Sequence, residues 1–434
     1  MSFTRPNARA DAYKRFKPLG RTITLDSAPA SVAYLTNAAN WTNDRLSKDE
    51  LADLYAYLPT ETGSNQIKQT GDLVIASGRL VVQSAYGAGV TATALELTGP
   101  HPELLNDAFI NAQRRYMIRD MLPFSMPTDG DMRTSGVTNW TTTSGNALTK
   151  NTTASNVLTG PQSLFLNADG STNYAESATV RVTDKQSMYT AMIARADIGT
   201  VTFQGQNVTG SAVSTAITNP SYSGEDFALL ERLETPPTNC EEWRLRATVS
   251  GATDDVYIDC TFGPYIHGKR AYVLPSQIDQ GWKLLFVRPM RYTFSYSSGV
   301  YDANSGEPAG DLREGIDYDL DLHPSAANPS RIIFYHDLPD MPIWLAIERP
   351  SYDVNGAVTT ETGTVDGTLE EFMPLFMHEI FKLLAGTDEG KGDPEVKAGL
   401  EEYGRQTAIQ AVVRTKHVAR EKGHGQYRNA RAGV

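Results

Sequence analysis

The chain has 434 residues, of which 40% are hydrophobic and 21% charged. That is enough apolar material for roughly two to four packed domains, and it excludes a chain that is disordered throughout. The net charge of −12 excludes a uniformly basic protein. The two cysteines, Cys240 and Cys260, are too few for a disulfide framework or a four-cysteine zinc site and are expected to be plain buried thiols.

The charge is unevenly spread. Residues 1–21 carry six Lys/Arg and one Asp, a net of +5; residues 405–434 carry seven Lys/Arg and one Glu, a net of +6. Residues 22–404 therefore hold −23. An acidic body with two basic ends points to ends that seek an acidic protein or nucleic acid, or to two solvated tails. The start, MSFTRPNARADAYKRF, has no apolar signal core, and no stretch approaches the roughly 18 apolar residues that span a bilayer, so a soluble protein made in a cytoplasm is expected, with no membrane partner.

In chain order, residues 1–21 read as a basic N-terminal arm and 22–128 as the first part of an assembly domain. Ser47 and Glu50 form a Ser-x-x-Glu capping box, and Leu51, Leu54, Tyr55 and Leu58 give one apolar face, which predicts a helix over 48–58 stopped by Pro59. LVIAS (73–77), RLVVQSAY (79–86) and TALEL (93–97) read as strands, with a turn at Gly78. After Gly99-Pro100-His101-Pro102, the spacing of Leu105, Ala108, Phe109, Ala112 and Tyr116 predicts a helix over 102–122, closed by Pro123. From 129 to 275 short strand-like segments alternate with turn clusters: SLFLNADG, ATVRVTD, MYTAMIARA, VTFQG, EWRLRATVSG and DVYIDCTFGPY. This texture predicts a β-sandwich. Residues 276–404 read as the second part of the assembly domain, with strands at 317–323, 331–339 and 342–352. Thr368 and Glu371 then cap a helix over 368–385 that contains Pro374 and carries the stripe Phe372, Phe376, Ile380, Leu383 and Leu384. After a loop at 386–394, a last helix is expected over about 395–420, with Leu400, Ile409, Val412 and Val413 on its apolar side. Residues 405–434 form its basic end and tail.

Helices at both ends of the chain, none able to bury a face alone, are expected to pack together. The fold class is therefore α+β and multidomain: a small helical assembly domain interrupted by a β-sandwich jelly roll and a further β-rich segment.

Motifs for chemistry are sparse. There is no Gly-x-Ser-x-Gly and no His-Glu-x-x-His; His378-Glu379 lacks a second His four residues on, so His378 is expected to be structural or at the surface. Gly386–Gly392 has the wrong spacing for a phosphate loop and lies between helices. The acidic groups Asp129/Asp131, Asp254/Asp255 and Asp317/Asp319/Asp321 read as solvated turns or strand faces, although one could hold a structural calcium. Glycosidase carboxylates cannot be singled out among 51 acids. No catalytic residue, metal site or cofactor is assigned, and a non-enzymatic protein is expected. Of the sandwich aromatics, Trp243 and Tyr257 fit a core, while Trp140 is the candidate for stacking on a sugar ring.

Two resemblances emerge at this point. VTNWTTTSGNALTKNTTASNVLTGPQSLFLNADGSTNYAES resembles the opening of galactose-binding-like jelly rolls of the carbohydrate-binding-module type; Gly160–Leu166 matches their Gly-x-Ser-Leu-x-Leu strand, and Val256-Tyr257-Ile258-Asp259 their closing strand. This covers about 135–268 and carries over no sugar-contact residue. HPELLNDAFINAQRRYMIRDMLP, RIIFYHDLPDMPIWLAIERPSY and EEFMPLFMHEIFKLLAG resemble tailed-bacteriophage neck adaptor (head-to-tail connector) proteins, over 90–125 and 270–420. That resemblance implies a virion protein in a homo-oligomeric, dodecameric ring joining portal to tail or nozzle proteins, with DNA in its channel and an outward-projecting jelly roll.

On this reading Arg405, Arg414, Lys416, Arg420, Lys422, Arg428 and Arg431 contact the portal or DNA. Leu105, Phe109, Tyr116, Phe376, Ile380, Leu384 and Ile409 form the helical core, part of which neighbouring copies would cover. The alternative is a phage decoration or adhesin protein whose sandwich binds host-surface glycans; a glycan-degrading enzyme is a third reading.

Overall fold

The computed structural model describes residues 2–37, 53–63, 66–74, 77, 79–134, 136–142, 148–168, 173–209, 212–213, 220–249, 254–279, 282–322, 329–351, 364–387 and 391–410. The chain divides into two compact units. The first joins residues 1–118 to 350–417, and the second takes in 119–349.

The first unit is built from both halves of the sequence. Strand Ser2–Thr4 pairs antiparallel with Thr364–Asp366. Helices Arg5–Arg15, Pro102–Arg115 and Leu369–Leu384 share one apolar core containing Ala8, Ala12, Leu105, Phe109, Phe372, Phe376 and Ile380. Thr368 caps its helix as the Ser/Thr-x-x-Glu pattern requires, its hydroxyl accepting from the Glu371 N–H. A six-stranded antiparallel sheet runs in the order 20–24, 94–98, 55–57, 67–74, 79–82 and 34–36 over a second core centred on Leu35, Leu58, Leu80 and Leu97.

Three expectations change here. Residues 1–21 are not an arm. Thr4 caps a helix in which Ala8 and Ala12 face the core, and Arg5 and Arg9 are buried. Arg9 is held because its guanidinium meets Glu96 bidentately, at 2.8 Å twice, while Asn106 accepts from it at 3.0 Å. Residues 55–57 form a strand and not the end of a helix; the Ser47/Glu50 capping box lies outside the described residues. The helix at 102 ends at Arg115, and Met117–Pro123 is already a strand. The last helix is described over 394–410.

The second unit contains the expected β-sandwich. One sheet has nine strands in the order 148–151, 163–167, 255–266, 188–198, 228–234, 300–308, 283–295, 343–350 and 117–123. The facing sheet runs 212–213, 201–207, 242–249, 173–177 and 140–142, with 180–181 and 221–222 paired alongside. Strand Met188–Ile198 shows the logic: Met188, Met192, Ala194 and Ala196 join the core between the sheets, whereas Tyr189, Ala191 and Ile193 belong to a second core on the other face. Gly205 is required by close approach, since a Cβ there would lie 2.2 Å from the buried Trp243 ring.

The segment after 276 is also corrected. Strands 283–295, 300–308 and 343–350 extend the sandwich's own sheet and so belong with it, not with the helices. Residues 271–273, 331–334 and 318–321 add a separate three-stranded sheet. Both cysteines are free and buried, and burial pushes the Cys260 thiol well above its ordinary value.

Candidate functional site

The extension of the nine-stranded sheet creates a cleft of about 560 Å³, within the usual range for small-ligand sites. Arg288, Met290 and Tyr292 alternate along strand Lys283–Ser295 and so share a face. Trp344 stands directly across from Arg288 on strand Ile343–Pro350 and joins them on that face. Met121 and Arg119 come from the edge strand Met117–Pro123, Ile193 from strand Met188–Ile198, and Ala303, Asn304 and Gly306 from strand Val300–Pro308. The loop Leu158–Gly160 forms one wall.

The floor is aromatic and rigid. Trp344 rests edge-on against Phe262 with ring centres 5.1 Å apart, and its indole N–H donates to the Tyr292 hydroxyl at 3.1 Å. Burial holds the Tyr292 phenol above its ordinary value, so it is a neutral hydroxyl at any physiological pH. The rim is polar, and its Arg288 is held in place. Asp311 accepts from Nε and Nη2 of Arg288 at 2.7 and 3.0 Å, which sets the plane of that guanidinium.

The wall is pinned from beneath by Asp259, which is fully buried and accepts from the N–H groups of Leu158 (2.8 Å) and Thr159 (3.1 Å) and from the Thr159 hydroxyl. Burial raises its carboxyl above the usual range.

The sequence-predicted residues lie elsewhere. Trp140 is only 4% exposed; it packs between the sheets and donates its indole N–H to the Asp129 carbonyl at 3.3 Å, so it offers no face to a sugar. Trp243 and Tyr257 are buried as expected. Leu105, Phe109, Tyr116, Phe376 and Ile380 are buried in one chain's helical core, and Leu384 packs at its edge. Tyr116 has a further part: its hydroxyl accepts from the Thr368 N–H at 3.1 Å and donates to Glu371 at 3.0 Å, tying the start of helix Leu369–Leu384 to the end of helix Pro102–Arg115. Ile409 is 54% exposed and is not part of that core. Arg405 is at the surface, paired with Glu402 at 2.5 Å. Arg414, Lys416, Arg420, Lys422, Arg428 and Arg431 lie outside the described residues.

Among the described residues no three His, Cys, Asp or Glu side chains gather as a metal site would need. The Asp129 carboxylate is taken by Lys150 at 2.7 Å and by the Thr134 N–H at 2.8 Å. Asp255 accepts from Asn167 at 2.9 Å, and Asp317 accepts from the Arg313 N–H at 2.8 Å. His378 is partly buried, and burial and the charge of Arg115 lower its pKa. No helix among the described residues is long and apolar enough to cross a membrane.

Nothing local in the sequence marks the cleft. Arg288, Tyr292 and Trp344 are ordinary strand residues, and what unites them is the pairing of segments more than fifty positions apart.

No protein-family model matches the chain, and no curated protein does. Solved structures with partial likeness include the enzymatically active domain of bacteriophage CBA120 tailspike protein 4, at 13% identity and TM-score 0.27 over 32% of this chain. The match spans about a fifth (21%) of that domain. The TmCBM61 module, solved with β-1,4-galactotriose, matches over 32% of this chain and 96% of its own length, at 12% identity and TM-score 0.26. The CBM22-1 xylan-binding domain of Paenibacillus barcinonensis Xyn10C matches over 32% of this chain and 90% of its own length, at 13% identity and TM-score 0.26.

Proposed function

We propose that the second unit is a glycan-binding module whose binding site is the cleft floored by Trp344 and Tyr292. The observation that carries this is the pairing of a fixed aromatic and apolar floor with polar groups on the rim. Sugar rings present C–H faces that pack on apolar and aromatic surface, and hydroxyls that need hydrogen-bond partners around it. Met121, Met290 and Tyr292, which are only partly buried, supply the first. The Asn304 amide and the Arg288 guanidinium, held by Asp311, supply the second. Because Asp311 already positions the Arg288 guanidinium, little ordering entropy is lost there on binding. The role proposed is recognition without chemistry.

One physical argument for the ring-adaptor reading is that a single chain cannot cover its helical faces. Leu105, Phe109, Phe376 and Ile380 are buried within one chain, so that argument no longer favours neighbouring copies. The glycan-binding reading is preferred because it rests on a cleft with partly exposed apolar and polar side chains.

The test is affinity electrophoresis of the full chain through gels containing a panel of neutral and acidic polysaccharides. Gly306→Leu serves as a plug, because a Cβ at Gly306 points at the Tyr292 ring edge (2.9 Å) and the Met290 methyl (3.0 Å) within the cleft. Retardation by at least one polymer that Gly306→Leu abolishes, with thermal stability retained, supports the proposal. No retardation by any polymer, or retardation that the plugged variant keeps, overturns it.

A further inference from the structure

We infer that the glycan taken by this cleft is a linear polymer bound along its length, and that the rings of Phe294, Tyr296 and Tyr301 carry it beyond the cleft; this rests on the glycan-binding reading above. Strand Lys283–Ser295 places Met290, Tyr292 and Phe294 on one face by alternation, and the first two line the cleft. Phe294 stands directly across from Tyr301 on strand Val300–Pro308, with ring centres 5.0 Å apart. Val300 enters the core between the sheets, and its neighbour Tyr301 turns the other way, to the core that Met290 and Tyr292 pack against. Tyr296 meets the Phe294 ring edge-on at 5.3 Å. From Met290 to Phe294 the strand advances about 13 Å, and Tyr296 lies beyond it, so the path is longer than one sugar ring.

The tip of this hairpin presents its rings to solvent. Tyr296 is 93% exposed and Phe294 39%. Single exposed apolar side chains are ordinary, but rings packed on one another make a patch, and patches mark binding surfaces. Their edge-to-face contacts position them before any ligand arrives, and an aromatic side chain has few rotatable bonds left to fix. The chemistry suits the same ligand as the cleft: an aromatic face takes the C–H side of a sugar ring, while a phenol reaches its hydroxyls. Residues 293–302 contain no Lys or Arg, so the tip has none of the positive charge that holds a surface patch on anionic lipid. Continuity with the cleft along one strand face favours the glycan over a second copy of the chain.

The experiment is affinity electrophoresis of the full chain in the retarding polysaccharide, with competing fragments of that polymer, from disaccharide to octasaccharide, made by partial hydrolysis. The octasaccharide is expected to release the chain at about a tenth of the disaccharide concentration, the worth of one further aromatic contact. Tyr296→Ala, which removes only an exposed ring, is expected to weaken the polymer and the octasaccharide about tenfold and to leave the disaccharide unchanged. An octasaccharide no better than the disaccharide, polymer binding that Tyr296→Ala leaves intact, or a loss shared equally by the disaccharide overturns the inference, while release by Gly306→Leu keeps the cleft. So does a dimer in sedimentation that Tyr296→Ala dissolves, which would give the rings to a second copy. If Gly306→Leu keeps the retardation, or no polymer retards the chain, the inference falls together with the reading beneath it.

Discussion

Each unit buries an arginine–glutamate pair, and the two pairs are built differently. In the first unit Arg9 belongs to helix Arg5–Arg15 and Glu96 to strand Ala94–Thr98, 87 positions away. The contact is bidentate, Tyr13 donates to the same carboxylate at 2.6 Å, Asn106 accepts from the guanidinium, and the Tyr57 ring lies 5.1 Å from it. In the sandwich Arg232 and Glu234 are two residues apart on one strand. They touch at 2.8 Å, but Arg232 Nε finds no hydrogen-bond partner among the described residues, and the guanidinium's reach to the Phe203 carbonyl is long at 3.4 Å. Desolvation costs both pairs heavily, and only good geometry with further hydrogen bonds offsets it. The Arg9 pair joins three elements of the fold through short contacts; the Arg232 pair is made within one strand and reaches neighbouring strands through long contacts, from the Thr190 hydroxyl at 3.3 Å and to the Phe203 carbonyl at 3.4 Å.

The largest expected effect follows from breaking the better pair. Arg9→Met or Glu96→Gln should each cost about 3–5 kcal/mol, because either leaves a buried polar partner without its match. Hydrogen exchange of the Arg5–Arg15 amides reads this directly, and protection unchanged from wild type would show the pair to be dispensable. The double change Arg9→Met with Glu96→Leu should not restore stability, since Tyr13 and Asn106 keep their unmet groups.

The sandwich pair should behave in the opposite way. Arg232→Met alone strands Glu234 and is expected to destabilise, whereas Arg232→Met with Glu234→Leu removes both charges and should leave stability unchanged or raise it by about 1–4 kcal/mol. Chemical denaturation of the two variants separates these outcomes. A double variant as unstable as the single one would mean that the pair, despite its geometry, contributes as Arg9–Glu96 does.

Asp259 is a third case, a buried carboxylate satisfied by neutral donors alone. Asp259→Asn should cost about 1–3 kcal/mol by leaving one of its donors unmet, and should loosen the cleft wall at 158–160. Its carboxyl is held above the ordinary value by burial, so the folded chain binds this proton more tightly than the unfolded chain does. The stability it contributes is fully present below the unfolded value of about 3.9 and is lost as pH rises through the higher folded value. The stability gap between wild type and Asp259→Asn should therefore shrink from acid pH upward; a gap constant across that window would contradict the assignment.

How far the sequence could be read follows the same division between local and long-range order. Helix Pro102–Arg115 and the capped start of helix Leu369–Leu384 were legible, because spacing and capping are written within four residues. So were the strands of 163–167, 188–198 and 242–249, whose alternation is local. Helix Arg5–Arg15 is masked by its basic charge, and its apolar signal is confined to Phe3, Ala8, Ala12 and Tyr13. Residues 55–57 were misread because three apolar residues fit either period, and the sheet decided. The allegiance of 283–308 and 343–350, and with it the whole cleft, rests on pairing across long stretches of chain, which no local pattern encodes. Trp140 had the right residue type for a sugar platform but stood on the inner face of its strand.

The smallest effect sharpens the comparison most cleanly because it uses the same helix. Arg15 lies six positions beyond Arg9 and pairs with Asp11 at 2.8 Å, a distance as short as either contact in the Arg9 pair. Its side chain is 38% exposed, however, where that of Arg9 is 0% exposed. Equal distance with unequal burial separates geometry from environment. An exposed i, i+4 pair is worth about 0.3–0.5 kcal/mol and fades with salt, because water solvates both partners when the contact is gone. Asp11→Asn should therefore shift the unfolding midpoint barely beyond error at low salt and not at all at about 1 M, while Glu96→Gln stays costly at both. If the two substitutions responded alike to salt, the distinction between the pairs would lie in their contact distances, which are the same, and the account of the Arg9 site as a desolvated joint between helix and sheet would fail.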